Sequence, residues 1–154
     1  KGGPLQAKLR DLRRVTISVP GVVLEEREVT DSATVRGPET VALLQQLLQA
    51  ADVYLLAQVT DDIGQAVVTG ALEAAGLIGP QPSQLPPQRM LFCSTHPGKQ
   101  SMVRQIEPDL HVDGDACTVE DLRRFVPQLL WVGTEGAPAS GSCAASLVEF
   151  FHSS

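Results

Sequence analysis

Short β-type apolar runs alternate along the chain with longer segments of helical periodicity, and this alternation restricts the fold more than any other feature. Segments with helical spacing of apolar residues begin at Gly37-Pro38, Asp61, Gly98 and Thr118. A last such segment covers Ala144–Phe151. The β-type runs are Val15–Glu25, which is interrupted by a break at Pro20-Gly21, Asp52–Val59, Arg89–Ser94, Leu110–Asp113 and Leu129–Gly133. Five successive βα units predict an α/β fold: a Rossmann-like, doubly wound, mostly parallel five-stranded sheet with helices on both faces. A length of 154 residues indicates one domain.

Charge is unevenly distributed along the chain. The whole chain has 12 basic and 18 acidic residues and a net charge of −6. Residues 1–14 carry five bases and one acid, or +4, so the remainder carries −10. An acidic body argues against binding of nucleic acid. The basic segment is either a solvated helix face or a helical membrane-proximal segment, and we predict a boundary between residues 1–14 and a single domain at 15–154.

Signals for the ends of helices are clear at several positions. Pro38 suits the first position of a helix, Asp61 or Asp62 can cap the next one, and Gly76 ends it. We predict that Thr118 caps the fourth helix. Four prolines in residues 79–88 predict a surface loop. No run of residues approaches the ~18 uncharged apolar residues that a membrane span requires.

Cysteine and histidine spacing predicts neither a metal site nor a catalytic thiol. The three cysteines, Cys93, Cys117 and Cys143, form no C-x-x-C pair, which indicates reduced thiols. Cys93 lies in an apolar strand and is predicted to be an inert core thiol. The histidines, at 96, 111 and 152, lack the spacing of metal ligands. Incomplete glycine motifs exclude a P-loop and a dinucleotide site, so we expect no cofactor.

The second half has the layout of a haloacid-dehalogenase-like phosphatase. Such enzymes place a hydroxyl at one strand end, a lysine on the next helix and an acidic pair after the next strand, an order matched by Ser94, Thr95, Lys99, Asp113 and Asp115. They also need a nucleophilic aspartate after the first strand. In the predicted fold that place falls in Leu24–Glu28, which offers glutamates and an arginine instead. A receiver-like domain would similarly depend on Glu25-Glu26. We therefore predict no catalytic residues and keep a divergent magnesium-dependent phosphatase as the alternative.

The chain also resembles the plant-type peroxisome biogenesis protein 22 family. The resemblance is carried mainly by Met90–Asp113, which reads MLFCSTHPGKQSMVRQIEPDLHVD. Further agreement lies in Val15-Thr16, Gly21–Glu26, Asp52–Leu55 and Phe150-Phe151. The matching stretches cover about two thirds of the chain, and the proline loop and residues 133–142 do not match.

This resemblance implies a non-catalytic, Rossmann-like, partner-binding domain that faces the cytosol from the peroxisomal membrane. The implied partner is the peroxisomal ubiquitin-conjugating enzyme, bound as a 1:1 heterodimer, recruited and stimulated to support ubiquitination and recycling of the import receptor. The membrane would be reached only through an N-terminal anchor absent from this chain. The family supplies no catalytic residues. For the contact surface we select a polar run whose side chains form charge-assisted hydrogen bonds: Lys99, Arg104, Gln105, Glu107 and Asp109. Arg104 and Asp109 have an alternative role in tying helix to sheet.

Overall fold

A single parallel sheet runs through the computed structural model, which describes residues 11–152. Its strands are β1 (Arg14–Ser18), β2 (Asp52–Gln58), β3 (Met90–Cys93), β4 (Leu110–Asp113), β5 (Gln128–Val132) and β6 (Ser142–Ala144). The strand order is β3-β2-β1-β4-β5-β6, and every neighbouring pair is parallel. From β1 at the centre of the sheet, the chain builds one half and then returns to build the other half from β4. The predicted doubly wound fold is confirmed.

Helices cover both faces of the sheet. They are α1 (Pro38–Ala50), α2 (Asp62–Ala74), α3 (His96–Ile106), α4 (Ala116–Leu122) and α5 (Leu147–His152), with a 3₁₀ turn at Pro87–Arg89. Buried residues of α1, α2 and α5 join the larger hydrophobic core on one face. A smaller core, which includes Val103 of α3, Val119 of α4 and Trp131 of β5, lies on the other face. Each crossover helix therefore buries one apolar stripe against a strand surface.

The sheet has six strands where the sequence indicated five. The additional strand, β6, is only three residues long and lies in the loop of small residues after β5. Its Ser142 and Cys143 are exposed. Because β6 has no apolar run of its own, only pairing with β5 identifies it as a strand.

The first strand ends earlier than its β-type run suggests. Pro20 has no backbone N–H to donate, and Gly21 adopts a left-handed conformation with φ of 77°. The amides of Val22, Val23 and Leu24 then all donate to the Val19 carbonyl. The apolar residues 22–24 are buried, so they fill the core from a turn. The segment resembles a strand in sequence only because its buried positions require apolar residues.

Side chains close the amino ends of three helices. Asp61 accepts a hydrogen bond from the Gly64 amide at 2.9 Å, and Thr95 accepts one from Gly98 at 3.0 Å. The prediction that Thr118 caps the fourth helix is wrong. Asp115 is the cap of α4, and it accepts from the Cys117 amide at 3.1 Å, while Thr118 lies inside the helix.

The basic segment 1–14 is described only from Asp11 onward. None of residues 11–14 is helical, Leu12 is buried, and Arg14 is the first residue of β1. The interpretation of residues 1–10 as a helix lies outside the described residues. Within the described residues, no helix is both long and apolar enough to cross a bilayer.

Candidate functional site

A polar cavity lies at the carboxyl ends of the central strands. It encloses about 540 Å³ between the loops that follow β1, β2 and β4. Strand order reverses between β1 and β4, and this is where open α/β sheets usually bind ligands. The residues that line it are Ser18, Pro20, Arg27, Glu28, Val29, Thr30, Gln58, Thr60, Lys99, Asp113, Gly114 and Asp115.

A buried ion pair forms one wall of this cavity. Lys99, on the first turns of α3, places its Nζ 3.3 Å from Asp113 Oδ1 and 3.2 Å from Oδ2. The two side chains are only 6% and 2% exposed. The Asp115 amide donates to Asp113 Oδ1 at 2.9 Å. Both carboxylate oxygens of Asp113 are thus engaged by groups of the chain itself.

The ion pair continues inward through His111 to Thr16. His111 Nε2 lies 2.8 Å from Asp113 Oδ2, and its Nδ1 lies 2.7 Å from Thr16 Oγ1. Thr16 and His111 face each other across β1 and β4 in the sheet register. An ionised carboxylate only accepts hydrogen bonds, so His111 donates through Nε2. Four polar side chains form one connected buried network, which we call the Asp113 network: Thr16, Lys99, His111 and Asp113.

The network keeps Asp113 ionised. Burial by itself raises the pKa of Asp113, but the hydrogen bond and charge of His111, the Lys99 ammonium and the Asp115 amide outweigh it. The pKa of Asp113 is therefore lowered from its ordinary value of 3.8. A buried carboxylate with this set of partners is held as a structural anion.

The hydroxyls that sequence order assigned to a phosphate site lie elsewhere. Ser94 and Thr95 are exposed outside the cavity, and Thr95 caps α3. The cavity hydroxyls belong instead to Ser18 at the end of β1, Thr60 after β2, and Thr30. The assignment of Ser94 and Thr95 was wrong because chain order does not fix which strand ends meet at the topological switch.

The place of a nucleophilic aspartate was also misassigned. Because β1 ends at Ser18, the residues directly after it are Val19 and Pro20. Glu26 instead binds the Thr34 amide and hydroxyl, both at 2.8 Å. Burial raises the pKa of Glu26, but these hydrogen bonds lower it overall. Glu26 thus stabilises the loop after β1 through hydrogen bonds to Thr34. Within Leu24–Glu28, only Glu28 contributes a carboxylate to the cavity.

The acidic pair at the end of β4 does not fit magnesium. Asp113 is fully engaged by the network. Asp115 accepts from the Cys117 amide and the Thr118 hydroxyl, and its Oδ2 lies 3.3 Å from His96 Nδ1. Within the described residues, no three His, Cys, Asp or Glu side chains are arranged to hold a metal ion. A divalent cation would have to displace Lys99 from a buried pair and leave that ammonium uncompensated.

The predicted contact residues separate into buried and exposed ones. Lys99 belongs to the buried network and is not available to a partner. The Asp109 carboxylate accepts from the Arg13 and Arg14 amides at 2.8 and 3.1 Å. Arg104, Gln105 and Glu107 are exposed at the end of α3.

The three cysteines do not line the cavity. Cys117 and Cys143 are exposed and Cys93 is half-buried, and all three are free thiols. Burial is the main cause that raises the pKa of Cys93 above its ordinary value of 9.0. A raised pKa lowers the thiolate fraction, which supports the prediction that Cys93 is inert.

A sequence signal for the Asp113 network does exist. In a parallel sheet covered on both faces, central strands are normally continuous apolar runs. Here polar residues alternate in two of them, as Thr16 and Ser18 in β1 and as His111 and Asp113 in β4. This period of two places all four on the α3 side of the sheet, where polar side chains require partners within the chain.

Comparisons with known proteins give both a family and a fold. Residues 5–151 match the family described as Peroxisome biogenesis protein 22, Haloacid dehydrogenase-like domain. The chain is 36% identical over 158 aligned residues to Peroxisome biogenesis protein 22 from Arabidopsis thaliana. That alignment covers 99% of this chain and 55% of the relative, so the chain spans about half of the relative's length.

A solved structure supports the fold at much lower sequence identity. The D,D-heptose 1.7-bisphosphate phosphatase from B. bronchiseptica, crystallised with magnesium and phosphate, superposes with a TM-score of 0.62. It covers 90% of this chain and 96% of its own at 13% identity. At that identity the likeness shows a shared sheet and helix arrangement and transfers no chemistry. The family match and the curated relative show that the chain belongs to the peroxisome biogenesis protein 22 family.

Proposed function

We propose that this domain is a non-catalytic adaptor for the peroxisomal ubiquitin-conjugating enzyme. It binds that enzyme as a 1:1 heterodimer, recruits it to the peroxisomal membrane and stimulates it. The result is ubiquitination and recycling of the peroxisomal import receptor. In this proposal the domain faces the cytosol, and the basic segment 1–14 is its membrane-proximal part.

One observation supports this proposal most directly. A member of a peroxin family retains the cavity of a phosphatase-like fold, but the carboxylate that would serve chemistry there, Asp113, is bound within the chain. Pro20, two residues after the end of β1, also lines the cavity. The fold and its cavity are present, but the charge of Asp113 is compensated by residues of the chain. This arrangement favours a role in partner binding over a role in catalysis.

Complex formation tests the proposal. The purified chain and the peroxisomal ubiquitin-conjugating enzyme are mixed at micromolar concentrations and analysed by size exclusion with light scattering. We expect one peak with the mass of a 1:1 complex, as suits an interface that buries on the order of 1,600 Å². Two separate peaks would contradict the proposal. Faster discharge of thioester-bound ubiquitin in the complex would show stimulation.

The exposed residues at the end of α3 belong to the proposed contact surface. Arg104, Gln105 and Glu107 are accessible in the free domain. Lys99 is left out because its ammonium is buried against Asp113. Asp109 is also left out, since its carboxylate holds the start of β1.

A divergent phosphatase is the second candidate. The cavity at the carboxyl ends of the strands, with Lys99 and two aspartates in its wall, is the feature that favours it. This alternative predicts magnesium-dependent hydrolysis of a small phosphate ester by the wild type, and loss of that hydrolysis in a folded Asp113→Ala variant. Absence of turnover by the wild type would leave the adaptor function.

A further inference from the structure

One surface combines exposed arginines with an exposed aromatic ring. Arg104 lies in the last turn of α3, and Arg123, Arg124 and Phe125 follow the end of α4. All four are exposed. We call them the arginine patch. Both helices end where β4 and β5 begin, so the patch lies at the amino ends of the strands, opposite the cavity.

Phe125 is unusual among the apolar residues. Within the described residues the exposed large hydrophobic side chains are Ile63, at 60%, and Phe125, at 48%. The Arg104 guanidinium carbon lies 3.8 Å from the centre of the Phe125 ring. This cation–π contact fixes the ring against α3. Phe125 is therefore presented to solvent in a defined position.

The turn that carries Phe125 is also fixed. The amides of Phe125 and Val126 donate to the Leu122 carbonyl at 2.9 and 3.1 Å. Leu122 and Val126, on either side of the exposed residues, are buried in the smaller core. A surface with a fixed backbone loses little conformational entropy on binding.

The charges of the patch are not balanced by the chain. The described residues include nine of the 12 basic side chains and all 18 acidic ones. Even so, none of the patch arginines forms an ion pair within residues 11–152. Glu107, at the border of the patch, also forms none with them.

The acidic residues of α4 are engaged elsewhere. Glu120 accepts from the Ala139 amide. Asp121 accepts from Gln100 at 2.8 Å and lies 3.6 Å from His96 Nε2. The arginines thus form a positive patch on an otherwise acidic body.

We propose that the arginine patch is the principal contact face for the ubiquitin-conjugating enzyme, an inference that rests on the proposed function. The enzyme would contribute an acidic surface around an apolar recess that receives Phe125. Arginine and aromatic residues are the most frequent energetic centres of protein interfaces. Favourable interaction with the carboxyl ends of helices explains arginines at these positions. It does not require a half-exposed phenylalanine held among them.

Binding is measured by isothermal titration calorimetry with the full 154-residue chain and the ubiquitin-conjugating enzyme. The test variants are Phe125→Ala and Arg124→Glu. Ile63→Ala is the matched apolar control, since Ile63 is the other exposed large hydrophobic side chain within the described residues and lies on α2 across the sheet. The double variant Gln46→Glu/Gln65→Glu matches the charge change of Arg124→Glu on exposed positions of α1 and α2. Thermal melting checks that each variant is folded.

We expect each test variant to weaken binding by about tenfold or more, with a melting temperature close to that of the wild type. Both controls should bind as the wild type does. Arg124→Glu should also flatten the dependence of the dissociation constant on salt.

Wild-type binding that persists unchanged in both test variants would overturn this inference and leave the proposed function intact. Absence of binding by the wild type would overturn the proposed function, and the inference with it. Vesicles that contain phosphatidylserine test whether the arginine patch binds a membrane surface instead of the enzyme. Vesicle binding lost in Arg124→Glu, with enzyme binding unaffected, would assign the patch to membrane and overturn the inference.

Discussion

At the scale of single residues, Asp113 is a buried anion whose charge is compensated within the chain. Its carboxylate is held by Lys99, His111 and the Asp115 amide. Lys99 lies on α3 and His111 on β4, and His111 extends the network to Thr16, so the network connects β1, α3 and β4. Replacing one partner of a buried ion pair is costly, because the remaining charge stays buried without compensation.

Asp113→Asn is therefore expected to lower the free energy of unfolding by about 3–5 kcal/mol near neutral pH, measured by urea denaturation. The exposed pair of Arg89 and Asp52, 3.4 Å apart, provides the control. Because surface ion pairs contribute about 0–1 kcal/mol, Asp52→Asn should change little. Equal effects of the two substitutions would contradict the structural role of the network.

The same substitution predicts a pH dependence. Since the pKa of Asp113 is lowered in the fold, the unfolded chain takes up the proton first as pH falls. The stabilisation by Asp113 is complete above its ordinary pKa of 3.8 and is lost as pH falls from there through the lower folded pKa. The difference in the free energy of unfolding between wild type and Asp113→Asn should therefore become smaller below about pH 4. A difference that stays constant down to about pH 3 would contradict this assignment.

At the scale of secondary structure elements, α3 ends in a strained residue. Glu107 has φ of 56° and ψ of 59°, the left-handed conformation that commonly ends helices at glycine. It is the one non-glycine residue with positive φ within the described part of the chain. Pro108 follows and prevents the helix from continuing. A negative charge at the carboxyl end of a helix also opposes its macrodipole.

Glu107→Gly should raise the free energy of unfolding by about 0.5–1 kcal/mol. The substitution removes the cost of about 1–2 kcal/mol that a non-glycine residue has in the left-handed conformation. The greater flexibility of glycine in the unfolded chain offsets part of this gain. Glu107→Gln removes only the charge and should give a smaller gain. Ser101→Gly, at an exposed interior position of α3, should lower stability by about 0.5 kcal/mol. A loss of stability in Glu107→Gly would contradict the strain argument.

At the scale of the whole molecule, stability should decrease from the centre of the sheet to β6. The central strands β1 and β4 each pair on both sides and lie in the buried core. In contrast, β6 has three residues, two of them exposed, and pairs only with β5. Local opening is easiest where few apolar contacts are lost.

Native-state hydrogen exchange monitored by NMR should reveal this gradient. We expect the amides of Ile17 and Val112 to exchange only by global unfolding. Amides of β6 should exchange on the order of 100-fold faster or more. Uniform protection across the six strands would contradict the expected gradient.

The sequence by itself determined the fold class, the order of the main elements and the family. Long apolar periodicities and helix signals such as Pro38, Asp61 and Gly76 act within a few residues, so they could be recognised without coordinates. The motif at Met90–Asp113 was long enough to indicate the family.

Only the tertiary structure decided where the first strand ends, which side chains form the cavity and which surface is free. Val22 to Leu24 are as apolar as a strand, yet Pro20 and Gly21 turn them into the core. Lys99 and Arg104 lie five residues apart on α3, but one is buried against Asp113 and the other stacks on Phe125. Burial and pairing depend on contacts between residues distant in sequence, and local pattern does not specify which residues make those contacts.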